Sequence, residues 1–413
     1  FEPATPPPAA PSAEPVSETP RDPVTAALDS LDLPGRIGQL MLVHMQGRRQ
    51  PFTGDLAFLK DYRPGGVVVP KLLQPASAEV YVKKLRGVEQ LTGLPLLVGA
   101  DVYQLARGER HARSAFVQLP SLLSICAAQD EACTADLAAM LAEMTRAMGF
   151  NMHLGPSLAL APAQNPENGS IYGFGSDPCF TADAGAAIFE AFRARGVLPM
   201  PMGFPGGGPG GGDRPAVLLT PVALLGERDL LPFERAVEAG VPLVHVGNTL
   251  VPTLAGKSVP ACMAPEVVGD LLRVRLGFEG VVVAGPLDAQ ALASQYDTGE
   301  AALRALAAGA DMLYWRGGSN VAMRVVNELG RAVQDGRLAP AVVDRAVRRI
   351  LELKQRLGTR KPGELNTRAL EQLGGSRGLE RRVRDIERRS ITLVRNNGVL
   401  PLREKTSAPL AIT

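Results

Sequence analysis

From about residue 28 the chain alternates short, almost uninterrupted apolar runs with longer stretches whose apolar residues recur at i, i+3 and i+4. The runs are 37–45 (IGQLMLVHM), 65–70 (GGVVVP), 95–101 (PLLVGAD), 150–156 (FNMHLGP), 197–204 (VLPMPMGF), 242–247 (PLVHVG), 280–286 (GVVVAGP) and 311–316 (DMLYWR). A strand that is apolar throughout is covered on both faces, as in a parallel sheet wrapped by helices. Helical stretches such as AEVYVKKLRGVEQL, ADLAAMLAEMTRAM and APEVVGDLLRVRLG lie between them. Eight β/α units over about 290 residues predict the α/β class and a TIM (β/α)8-type barrel. An open doubly wound sheet is the alternative, less favoured because the count reaches eight.

The flanks differ from this pattern. Residues 1–27 open with FEPATPPPAAPSAEPVSETPRDP, a tract with almost nothing to bury, so a Pro-rich extended tether is expected. Such leaders often follow a removed export signal or lipid-anchor site. The expectation is therefore an exported protein, periplasmic, outer-membrane associated or at the cell surface, with a lipid anchor upstream of residue 1 as one route. The barrel occupies 28–358 and closes with the helical pattern PAVVDRAVRRILELKQRLG. Residues 359–413 read as a helical extension, Arg-rich on a solvated face, ending in a strand-like APLAIT.

Composition narrows the classes. Hydrophobic residues make up 46% of the 413, which excludes a wholly disordered chain. Lys plus Arg number 44 against 42 acidic residues, so a net charge of +2 gives no pull on nucleic acid. No apolar run approaches the roughly 18 residues of a membrane-spanning helix. Cys126 and Cys133 stand in CAAQDEAC, where a local disulfide is the alternative to ordinary thiols.

Several stretches stand in an order that resembles glycoside hydrolase family 3, the β-glucosidases and β-N-acetylhexosaminidases. They are RIGQLMLV, YRPGGVVVP, LPLLVGAD, LPSLLS, FGSDP, ERDLLPFERAVEAGV, LGFEGVVV and GEAALRALAAGADML. The resemblance runs from residue 30 to about 402, where ERRSITLVRNNGVLPL looks like the linker into that family's second domain. It implies a barrel hydrolysing β-glycosides with a carboxylate nucleophile and a proton donor at the C-terminal ends of the strands.

The family's catalytic motifs, placed on this sequence, are degenerate. The S-D-D-L nucleophile falls on Gly285, and Asp288 lies three residues on. The K-H-F-P-G-H-G loop reads Met202, Gly203, Phe204, Pro205, Gly206, Gly207, Gly208, so its Lys and both His are lost. The Asp-x-His acid/base dyad falls on Asp213 and Pro215. The Arg of D-R-S-F-G falls on Tyr172, the Asp of N-x-A-P-x-L-D on Ala159, and the strand-six His on Asn248. The strand-three Asp persists as Asp101, but the E-G-G after it reads Tyr103, Gln104, Leu105.

Other groups add candidates. GFPGGGPGGGD (203–213) lacks the Lys-Ser/Thr of a phosphate-binding loop and is read as a flexible loop without chemistry. RGGSN (316–320) is read as a tight turn after the eighth strand. His44, His153 and His245 fall on strand patterns, and their spacing fits no metal motif, so neither metal nor cofactor is expected. His111 lies with Arg107, Arg110 and Arg113 on a charged loop suited to an anionic ligand. Tyr103, Tyr172, Tyr314 and Trp315 either stack on a sugar at the barrel mouth or plug a vacated pocket.

With six family positions lost and the packing motifs intact, the expectation is an inactive family 3-like barrel, a pseudoenzyme. It would bind glycan or peptidoglycan, or scaffold a protein partner. Asp101, Tyr103, Arg107, Tyr172, Asp213, Asn248, Asp288 and Trp315 are its vestigial or ligand-binding candidates. Two alternatives stand beside it. One is an active β-glycosidase with carboxylates relocated to Asp101, Asp213 or Asp288. The other is a structural subunit of a larger assembly.

Overall fold

A computed structural model describes residues 22–72, 74–103, 117–161, 173–208, 215–256, 258–358, 367–373 and 376–397. Each predicted apolar run yields one strand. They are β1 (Met41–His44), β2 (Gly66–Val68), β3 (Leu97–Ala100), β4 (Met152–Ser157), β5 (Leu198–Met202), β6 (Leu243–Val246), β7 (Val281–Ala284) and β8 (Met312–Trp315). All pairings are parallel, in the order β5-β4-β3-β2-β1-β8-β7-β6. The two ends of that order meet through a parallel bridge between Phe204 and Val246, with Phe204 N donating to His245 O at 3.2 Å. The eight strands therefore form a nearly closed barrel with helices around it.

The first strand is shorter than its apolar run. Asp32 caps the helix Leu33–Gln39 by accepting from Gly35 N, with Pro34 in its first turn, so Ile37–Gln39 are helical. Two segments that read as ordinary helices are wider coils: Gly226–Leu230 and Glu266–Arg275 are π-helical.

The helix Pro340–Gly358 packs on the first two helices. Arg36 meets Asp344 at 2.9 Å, and Arg348 donates to Thr25 Oγ1 at 3.2 Å. The Arg-rich extension is not simply solvated. In the helix Arg377–Arg389, Val383 and Ile386 are buried, while Arg382 pairs with Asp136 (3.2 Å) and Glu143 (3.4 Å), and Arg389 with Asp130 (2.5 Å). Residues 391–396 beyond it are not a strand, and the APLAIT segment lies outside the described residues. All four cysteines are free, so the Cys126–Cys133 bond is absent.

One buried cation sits far from any carboxylate bond. Lys354 is 2% exposed, and its Nζ donates to Gln39 Oε1 at 2.7 Å. Burial pushes its pKa down to about 7, with Glu89 opposing. The folded value lies below the ordinary 10.5, so the unfolded chain binds more protons between the two. Stability therefore rises with pH across that window. Urea titrations at pH 7 and pH 9.5 are expected to show this gain in the wild type and to lose it in Lys354→Met. An equal pH slope in both proteins would refute the assignment.

Candidate functional site at the barrel mouth

The pairing register decides which side chains face the lumen. His153 stacks on Phe192 of the helix Pro178–Ala194, with ring centroids 4.7 Å apart, so it faces outward, and Ala100 is in register with it. Gly99, one residue earlier, faces inward, and Gly99, Val68 and His44 are in register. His44 is therefore lumenal. So is Leu42, two residues before it, and so is Tyr314 beside Leu42. Met312, Val283 and His245 follow on the same face. The top of the lumen thus holds His44 from β1, Tyr314 from β8 and His245 from β6. Gly285 occupies the next inward position above Val283.

Charge gathers around Tyr314. Burial raises its hydroxyl pKa, Arg316 pulls it down by charge and hydrogen bond, and Asp288 and Asp101 push it up. Asp101 leaves the end of β3 and Asp288 follows β7. These strands stand four places apart in a ring of eight, so the two carboxylates approach Tyr314 from opposite sides of the mouth. Asp288 is fixed in place. It accepts from Arg316 N at 2.9 and 3.0 Å and from Gly317 N at 2.6 Å. Beside it, burial lowers the His44 pKa, and Asp288 and Asp55 oppose that shift. Asp55 is itself buried and accepts from Gln46 N (2.7 Å) and Ser319 Oγ (2.7 Å), which joins the loops after β1 and β8.

The family's nucleophile position is closed to a side chain. Gly285 has φ +136°, and a Cβ there would lie 2.6 Å from Tyr314 O and 2.9 Å from Leu287 N. Those two atoms already share a hydrogen bond of 2.8 Å. Gly285 is also held by its N–H to Val246 O (3.1 Å) and by His245 Nε2 on its carbonyl (2.8 Å).

The remaining candidates divide. Asn248 is engaged in the wall, donating from Nδ2 to Pro286 O (2.8 Å) and accepting the Cys262 thiol at 3.2 Å. Tyr103 is 4% exposed and its hydroxyl accepts from Leu122 N at 3.1 Å, so it fills space and anchors the helix Leu122–Ala128. Trp315 is 1% exposed and lies on the outward face, in register with Val43, where no sugar reaches it. Met202 ends β5, and its carbonyl accepts from Leu158 N at 3.0 Å. A Cβ at Gly207 would meet Thr249 Cγ2 at 2.7 Å, and one at Gly203 would meet Ala159 Cβ at 3.0 Å. Pro215 is partly exposed, just before the stretch that pairs with Leu250. Arg107, Tyr172 and Asp213 lie outside the described residues, as do His111, Arg110 and Arg113.

Sequence reasoning passed over Asp229. It sits buried on the π-helical turn within ERDLLPF, against Gly206, and burial raises its carboxyl pKa while Thr220 and Arg228 lower it. Its motif was taken only as scaffold. Among the described residues no group of three or more His, Cys, Asp or Glu is placed to hold a metal ion. Nor is any described helix long and apolar enough to cross a membrane.

Comparisons with known proteins agree with this architecture. A β-N-acetylglucosaminidase/β-glucosidase from Cellulomonas fimi is 27% identical over 89% of this chain and 65% of its own length. The β-hexosaminidase LpqI of Mycobacterium tuberculosis is 33% identical over 53% of this chain and 58% of its own. The structure of a family 3 β-N-acetylglucosaminidase from Paenibacillus superposes with a TM-score of 0.77 at 25% identity, covering 89% of this chain and 70% of that one. The chain thus spans less than two thirds of the length of the curated relatives it matches.

These relatives correct the expectation of an inactive binding or scaffold protein, because the proteins that share the barrel are named as β-hexosaminidases and β-glucosidases. Gly285 is then a displaced nucleophile position rather than a mark of lost function. The family model for the glycosyl hydrolase family 3 N-terminal domain matches residues 33–353, and the chain belongs to that family.

Proposed function

We propose that the protein hydrolyses β-linked glycosides, N-acetylhexosaminides or glucosides, with carboxylates placed elsewhere on the rim than in the family motif. The observation that carries this reading is the approach of Asp101 and Asp288 to Tyr314 from opposite sides of the mouth. Glycoside hydrolysis needs two carboxyl groups flanking the scissile bond, one acting on the anomeric carbon or its attacking water, the other on the leaving oxygen. Asp288, held by backbone amides of the β8 exit, is preorganised and costs no reorganisation when positive charge develops on the sugar ring. Asp101 supplies the second carboxyl. Tyr314 and Arg316 lie between them and bear on the charge of both. The names of the relatives support the substrate class.

The test is hydrolysis of 4-nitrophenyl β-N-acetylglucosaminide and β-glucoside by wild type, Asp101→Asn and Asp288→Asn. Either substitution is expected to lower kcat/KM by about 10²–10⁴-fold, the range for removing one acid or base. Asp288→Asn also loosens the β8 exit, so its melting temperature is measured beside its rate. A wild type inert on both substrates, or an Asp101→Asn enzyme as fast as wild type, would end this reading.

A further inference from the structure

His245 uses one ring nitrogen and leaves the other bare. Its Nε2 lies 2.8 Å from Gly285 O. A carbonyl oxygen only accepts, so Nε2 carries the proton and Nδ1 is an unprotonated lone pair. Burial pushes the pKa of the ring down to about 4, which keeps it neutral at physiological pH. Nδ1 is buried and has no hydrogen-bond partner among the described residues. A buried polar atom left unpaired costs about 1–3 kcal/mol. Native folds rarely carry such a cost away from a ligand or an ordered water.

The surroundings of the ring point to a ligand. The Cε1 atom of His245 lies 3.7 Å from where a Cβ on Gly247 would stand, so the ring reaches up the lumen toward the exit of β6. The next inward position on the neighbouring β7 is Gly285. Neither residue sends a side chain into the space above the imidazole, and the rim there is a notch bounded by backbone. On the other side of Tyr314, His44 also has a buried Nδ1 without a partner. The lumen therefore ends in two imidazoles with unused nitrogens, beneath the opening that Asp101 and Asp288 flank.

We propose that His245 contacts substrate, its Nδ1 accepting the proton of a sugar hydroxyl seated in the notch beside Gly247 and Gly285. This rests on the glycosidase reading and narrows it. The group at this point is a neutral donor, not a carboxylate or phosphate, because a bare lone pair attracts donors and repels anions. His245 also couples the sugar to the β7 exit, since the same ring donates to Gly285 O.

Imidazole 15N–1H correlation spectra of the wild-type protein test this directly, because four histidines give few resonances and His245→Phe assigns one of them. The free protein is expected to show His245 as the Nε2-protonated tautomer. Glucose or N-acetylglucosamine should shift its Nδ1 resonance saturably, and acetate should not. Calorimetry should show about tenfold weaker sugar binding in His245→Phe, the equivalent of one neutral hydrogen bond. If the variant does not fold, the wild-type spectra decide alone. A protonated Nδ1, or a resonance unmoved by both sugars, overturns the proposal. A sugar-dependent shift without turnover of aryl glycosides removes the hydrolase reading and leaves this contact standing. Turnover with an unmoved resonance does the reverse.

Discussion

Restoring the family nucleophile by Gly285→Asp is expected to destabilise the protein by about 3 kcal/mol or more and to add no glycosidase activity. Two costs combine. A non-glycine residue at φ +136° is strained wherever it sits. The new Cβ would also enter the hydrogen bond between Leu287 N and Tyr314 O, which joins the exits of β7 and β8. Backbone lies on both sides, so no side chain can swing away to make room. Gly285→Ala should carry most of the penalty. Gly247→Ala, where the nearest atom is at 3.7 Å, should cost little. Urea denaturation of the three variants is the measurement. A Gly285→Asp protein as stable as wild type, or one that gains turnover, would show that the β7 exit can be rebuilt and that the carboxylate belongs there.

A second large effect is expected at the other end of the barrel. Asp311 is 1% exposed and ties three elements together. Its Oδ2 accepts from Arg273 Nη2 at 2.5 Å and from Val282 N at 2.9 Å, and its Oδ1 accepts from Arg349 Nη1 at 3.0 Å. Arg273 in turn donates to Phe278 O (2.9 Å) and Gly280 O (2.6 Å), holding the turn that leads into β7. Asp311→Ala leaves a mostly buried guanidinium without its counter-charge and orphans the Val282 amide. Breaking a buried pair in this way costs about 3–5 kcal/mol. Asp311→Asn keeps one acceptor and should fall between wild type and Ala. A loss below about 1 kcal/mol for Ala would mean that water takes over the network. Activity is not expected to change in the folded fraction, because the cluster lies at the N-terminal face of the strands, away from the mouth.

Both predictions separate the two ends of the molecule, and they bear on what remains of the family's chemistry. The rim is not a vacated copy of the family's site. Its glycines hold backbone approaches, Asn248 and Asp288 brace loops, and Tyr103 has become part of the wall. What is left facing the opening is a set of carboxylates, imidazoles and one phenol in new places. The hydrolysis assays on Asp101→Asn and Asp288→Asn ask whether that set performs the family's reaction.

The sequence determined the barrel. Eight apolar runs bounded by glycine and proline, with helical periodicity between them, leave a parallel ring of strands as the economical way to bury both faces of each strand. The ordered motifs also carried the family and the location of its rim. Facing was not legible, for the same reason that the strands were. A strand apolar on both sides has no period-two signal, so nothing in PLVHVG or MLVHM separates an inward imidazole from an outward one. Only the register placed His44 and His245 in the lumen and turned His153 onto Phe192. Trp315 shows the same limit, since one pleat decides between the mouth and the helix layer. The closure of the Gly285 position was likewise invisible in AGPLD. Its φ and its distance from Tyr314 O come from β8, a strand about thirty residues away whose backbone arrives there only when the barrel closes. Composition and pattern fix which surfaces must be buried, while the chemistry at the mouth depends on backbone geometry that exists only after all eight strands have met.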